Sequence, residues 1–207
     1  MGRHLQANWR AIGLFLLAAF LIVQCFAPAR PALAQSAVAP AAPSKTRPPA
    51  PPVVGRGTEA LPDPVKEMRE AILAAARSGR IEELRVAYEF NELKPDLGVV
   101  PVPDPVAHWR AISGDGEGRE VLAALAEILE MGYAVLPLGA DLENNRIYVW
   151  PYLAEVALDR LTPAQEVDLL RLVPPPAARQ MRAAGRYTHW RIAIGADGTW
   201  HSLRTGP

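Results

Sequence analysis

Side chains able to do chemistry gather at two points of the 207-residue chain. The first is Ser113 to Gly118 (SGDGEG), where Asp115 and Glu117 alternate with glycines and Glu120 follows in an amphipathic run. Three chemistries use such a loop. A phosphate cradle follows a strand and presents bare N–H groups, whereas here two carboxylates would meet the phosphate and repel it. A calcium loop with Ser113, Asp115 and Glu117 at positions one, three and five has Gly118 at six, but Ala124 stands where the bidentate glutamate belongs. General acid/base hydrolysis of an envelope glycan or peptide would need a second acid brought near by the fold, and nothing in the spacing selects it. The plainest role for Asp115, Glu117 and Glu120 is to stabilise the positive end of the helix that starts there.

The second point is the C-terminal segment from Tyr187 to Arg204, where Gly195-Ala196-Asp197-Gly198 separates two β-prone runs and signals a hairpin. Strict alternation places Trp190, Ile192, Ile194, His201 and Leu203 on one face, and Tyr187, His189, Arg191, Trp200 and Arg204 on the other. The first face is core-like. The second joins two aromatic rings to two guanidinium groups and a histidine, a composition that stacks on sugar rings or holds an anionic group. It ranks ahead of the acidic loop as the candidate binding surface.

Other chemistries find no support in the residue types. Four histidines show no HExxH or HxH spacing, the single cysteine is Cys25, and no G-x-S-x-G elbow occurs, so neither a metal nor a cofactor is expected. Lys+Arg and Asp+Glu are equal at 22 each, which argues against a polybasic nucleic-acid binder.

The elements that must position these residues follow from periodicity. Asp63-Pro64 starts a helix carrying Val65, Met68, Ile72 and Ala75, and Ile81 to Tyr88 forms a second, completing a helical hairpin. Asp104-Pro105 opens another, and Val121, Leu122, Leu125, Ile128 and Leu129 mark the clearest amphipathic helix, stopped by Gly132. Tyr133 to Leu136 and Arg146 to Trp150 read as strands joined by the turn-rich GADLENN. Thr162-Pro163-Ala164-Gln165 is a capping box, and Pro176 to Ala184 a further short helix. The fold class expected is α+β: a helical hairpin and amphipathic helices on a small antiparallel sheet, ending in a β-hairpin.

Upstream of this domain lie two segments of different character. Arg3 and Arg10 precede the apolar run Ala11 to Val23, too short to span a bilayer, and Ala32-Leu33-Ala34 offers a cleavage site. Residues 1–34 therefore read as a secretory signal peptide. The exported chain would be periplasmic or secreted, with an inner-membrane anchor as the alternative if residues 11–27 are retained. Removing 1–34 takes Arg3, Arg10 and Arg30 and no acid, which leaves the remainder acidic and without cysteine. Residues 35–60, rich in Ala and Pro, read as a disordered linker, and residues 61–207 as a single globular domain.

The order SGDGEGRE, YVWPYLAE, LTPAQEVDLLRLV and a closing IGADGTWH resembles a family of secreted proteins of Gram-negative bacteria, over roughly Leu61 to Gly206. That resemblance implies export and a compact α+β domain, and it brings no assigned activity or catalytic residue. The functional expectation is a non-catalytic domain that binds a cell-envelope component, with no nucleic-acid partner and with membrane contact only if the N-terminal segment is kept. The alternative is a periplasmic hydrolase using acidic residues.

Overall fold

The computed structural model describes residues 51–99, 102–137 and 145–206. The expected signal peptide (1–34), the expected linker up to residue 50, and residues 100–101, 138–144 and 207 lie outside the described residues. Five strands form one antiparallel sheet in chain order: β1 (Val53–Gly55), β2 (Tyr133–Pro137), β3 (Arg146–Trp150), β4 (Arg191–Gly195) and β5 (Trp200–Arg204). Between β1 and β2 run α1 (Asp63–Ser78), α2 (Leu84–Glu89), α3 (Pro105–Ile112) and α4 (Arg119–Glu130). Between β3 and β4 run α5 (Pro163–Leu172) and α6 (Pro175–Ala184). The molecule is α+β and ends in a β-hairpin, as its periodicity predicts.

Local chemistry explains the helix ends. Prolines occupy the first turns of α1, α3, α5 and α6, where a missing N–H costs nothing. Asp104 accepts from Val106 N at the start of α3, and Thr162 and Gln165 exchange both bonds of the capping box on α5.

The two faces of the sheet bury different partners. On one face Tyr133, Tyr148, Trp150, Ile192, Ile194, Trp200 and Leu203 join Val65, Ile72 and Leu73 of α1 and Val121, Leu125 and Ile128 of α4 in the main core. From the reverse face, Ala134 joins Tyr152, Leu153, Leu158, Leu169, Ala178, Met181 and Tyr187 in a smaller core that includes α5 and α6. The helices thus hold the sheet from both sides, but they do not cover all of it.

One boundary differs from the sequence reading, which runs the unstructured linker through Ala60. Val53–Gly55 is instead an edge strand, paired Val53 with Val135, Val54 with Ala134 and Gly55 with Tyr133. Two β-branched residues favour the extended chain, and Gly55, having no side chain, lets the Tyr133 ring lie directly against its backbone. The opposite edge is closed differently. Asp96 bridges β5, its N–H donating to the His201 carbonyl (2.9 Å) and its carbonyl accepting from Leu203 N (2.9 Å).

Candidate functional site

The acidic loop is built to cap α4. Asp115 Oδ1 accepts from Glu117 N (3.3 Å) and Gly118 N (3.1 Å), Oδ2 accepts from Arg119 N (3.2 Å), and the Ser113 hydroxyl donates as well. These bonds, led by that from Ser113, hold the Asp115 carboxyl below its ordinary range against the opposing effect of desolvation. Glu120 Oε2 accepts from Gly114 N (2.6 Å), while Glu117 is exposed. Gly118 has φ 83° and sits against Ile81, so the third glycine answers to both backbone and packing. Asp115 and Glu120 spend their oxygens on their own loop.

The hairpin face breaks apart for a reason that alternation cannot anticipate. Arg191 pairs with Arg204, Ile192 with Leu203 and Ala193 with Ser202, but Ile194 pairs with Trp200, leaving His201 as the extra residue of a β-bulge. Beyond the bulge the faces exchange. Trp200 turns into the main core with no exposure, stacked on Trp109 (centroids 6.3 Å, 9° between planes) with Tyr88 edge-on at 6.4 Å. Buried Asn91 accepts from the Trp200 N–H (2.9 Å), and the Trp200 indole donates to the Ser202 carbonyl (3.0 Å). Tyr187 is buried in the smaller core, and that burial raises its pKa.

Two members of the expected surface stay together. Arg191 and Arg204 face each other across the strands, a like-charge pair that is unfavourable alone. Each has an acid beside it: Glu155 at 4.0 Å from Arg191 and Asp96 at 3.2 Å from Arg204. Burial raises the Glu155 pKa, with Arg191 opposing. His189 is half-buried, its pKa lowered by desolvation against a smaller opposing effect of Glu120. The stacking surface drawn from alternation therefore loses both its aromatic rings, and its arginines are balanced locally.

A polar cluster that the sequence reading missed lies at the start of the domain. Arg56 donates to Asp168 Oδ2 (2.6 Å), Tyr152 Oη donates to the same oxygen (2.8 Å), and the Arg56 guanidinium lies 5.4 Å from the Tyr152 ring centroid. Burial pushes the Asp168 carboxyl up, but the hydrogen bonds from Arg56 and Tyr152 outweigh it and hold the group below the ordinary range. Tyr152 is raised by the same burial and by its bond to Asp168. With the phenol protonated and the carboxylate ionised, the cluster ties the residue after β1 to α5. Arg56 falls in an Ala/Pro-rich stretch and Asp168 in the middle of a helix, so no spacing rule links them.

The arrangement best suited to hold a ligand is a groove of ≈ 520 Å³ at the β1–β3 end of the main-core face, over the buried rings of Tyr133 and Tyr148. Tyr133, Val135 and Tyr148 form its floor, Val53 and Ala60 a wall, and Pro137 and exposed Arg146 one end. The Tyr133 and Tyr148 rings are 5.7 Å apart, tilted by 58°, and Trp150 backs Tyr133 at 5.2 Å. Burial raises the Tyr133 pKa, with Tyr148 and Glu59 adding to it. Among the described residues the lining contains no carboxylate. Among the described residues no group of three or more His, Cys, Asp and Glu is placed to hold a metal, and no helix is long and apolar enough to cross a membrane.

No family model, curated protein or solved structure matches the chain.

Proposed function

We propose that this protein is a non-catalytic binding domain of the cell envelope, periplasmic or secreted, that takes its ligand in the groove at the β1–β3 end of the sheet. One observation carries the reading: the groove, at ≈ 520 Å³, lies in the size range of ligand sites, and its lining is aromatic and aliphatic with one guanidinium at the end. Such a lining holds flat or apolar groups and orients an acceptor at Arg146. Among its described lining residues there is no acid to cleave a bond. The signal-like N-terminus and the proline-rich stretch after it support a domain delivered to the envelope and working at some reach from its own N-terminus.

The test uses residues that can change without harming the core. Val53 is 70% exposed and Arg146 is exposed. Val53→Thr, which keeps a β-branched side chain in the strand, with Arg146→Glu should abolish retention of the exported protein on isolated envelope material while leaving its melt cooperative. Full retention by the folded double variant would overturn the reading, as would release of a cleaved envelope fragment by the wild type.

A further inference from the structure

α1 and α2 flank a second concavity of ≈ 210 Å³. Pro64, Met68 and Ala71 follow one another at helical spacing along α1, and Val86 and Phe90 do so along α2 and its C-terminal residue. Two such rows form ridges with a trough between them, the shape that accepts a third helix. Its apolar wall is open to solvent: Phe90 is 83% exposed and Val86 65%, and Leu93 just beyond is 79% exposed. Large apolar side chains clustered at one place, unlike single scattered ones, mark an interaction surface.

The charges at the rim select the occupant. Glu67 and Asp197 lie in the lining, and both are exposed. Asp197 is kept ionised, its pKa lowered first by the bond it accepts from Thr199 N (3.0 Å) and also by that from the Thr199 hydroxyl (2.9 Å). The cations of α1 are engaged elsewhere. Lys66 holds Asp63 (2.9 Å), Arg69 holds Glu70 (2.6 Å) and the Leu129 carbonyl, and Arg77 reaches Glu70 (3.5 Å). Two carboxylates beside an apolar trough repel an anionic membrane surface. They also disfavour a second copy docked through the same face, since a two-fold interface would set like charges against each other.

We propose that this trough docks an amphipathic helix of a partner protein whose apolar face is flanked by Lys or Arg. The apolar face covers Val86, Phe90 and Ala71, and the basic flanks meet Glu67 and Asp197. The surface is independent of the sheet groove, so its success or failure leaves the envelope-binding reading untouched.

Two synthetic helical peptides test this by fluorescence anisotropy with the full-length exported protein. Both carry leucines at i, i+3, i+4 and i+7; one has lysines at the flanking positions and the other glutamates. The lysine peptide should bind about tenfold more tightly than the glutamate peptide. Phe90→Ser should weaken it by about tenfold or more with an unchanged melt, because the ring is exposed. Glu67→Lys should remove the preference between the peptides. Equal binding of both peptides, no binding of the lysine peptide, or binding that survives Phe90→Ser overturns the proposal. So does dimerisation in sedimentation, or partition onto phosphatidylglycerol vesicles, that Phe90→Ser abolishes, since the trough would then belong to a second copy or to a membrane.

Discussion

At the scale of single residues, Asp168 and Trp200 show how burial sets the consequence of a substitution. An unfolded aspartate titrates near 3.9, and Asp168 in the fold titrates lower because Arg56 and Tyr152 donate to it. Its contribution to stability is therefore whole above about pH 4 and is lost as the pH falls through the lower, folded value. Asp168→Asn should cost about 1.5 kcal/mol at pH 7, below the value for a fully buried pair because the Arg56 side chain is 60% exposed. Urea denaturation at pH 7 and pH 3 checks this, and the gap between wild type and variant should narrow at the lower pH. A gap that widens on acidification contradicts the assignment. Trp200→Ala removes a ring with no exposure from the stack on Trp109 and should cost about 3 to 5 kcal/mol. A variant with an unchanged melt would mean that Trp200 faces outward after all, as strict alternation has it. That alternation fails at one residue, His201, because a bulge leaves no mark in the two-fold pattern. Asn91, whose side chain accepts from the Trp200 N–H, has no sequence signal that would announce the role.

At the scale of elements, the decisive piece is β1, three residues long and held at its end by Arg56. A chain beginning at Leu61 loses the strand, its pairing with β2 and the tie to Asp168. It should melt at a lower temperature than a chain beginning at Pro51, and limited proteolysis of the full protein should spare Val53 to Arg56. Equal melts, or a stable fragment starting near residue 60, would restore the linker boundary drawn from composition. The helices are legible because caps and apolar stripes are local: the Asp104 cap of α3, the Thr162 to Gln165 box and the Val121 to Leu129 stripe fall where expected, whereas Asp63 is the first residue of α1 and caps nothing. β1 was hidden among prolines, and its pairing is decided by Tyr133 and Asp168, far along the chain. The SGDGEG loop was legible in its bland form, as carboxylates at a helix start. The backbone donors that Asp115 satisfies give it more weight than a dipole alone, and Asp115→Ala should lower the midpoint of a denaturant titration.

At the scale of the whole molecule, the described helices and five-stranded sheet leave among their concavities the aromatic groove at one end of the sheet and the trough between α1 and α2. Neither was visible in the residue order. The groove is a matter of how β1 joins the sheet edge beside Ala60, and the trough of how Phe90, exposed at the end of α2, stands beside α1. The reading of export stands on the N-terminal segment alone and is checked by the intact mass of the exported form, expected to begin at Gln35. A species keeping Ala11 to Val23 would make the protein membrane-anchored. The central claim is that a ligand from the envelope occupies the sheet groove without being transformed. Amide chemical-shift mapping on addition of solubilised envelope fragments tests it most directly. The shifts should cluster at Val53–Gly55, Tyr133–Pro137 and Arg146–Tyr148, with the fragment's own spectrum unchanged in covalent structure. Shifts centred instead on Arg191 and Arg204, or on Asp115 to Glu120 with new fragment signals from bond cleavage, would contradict it.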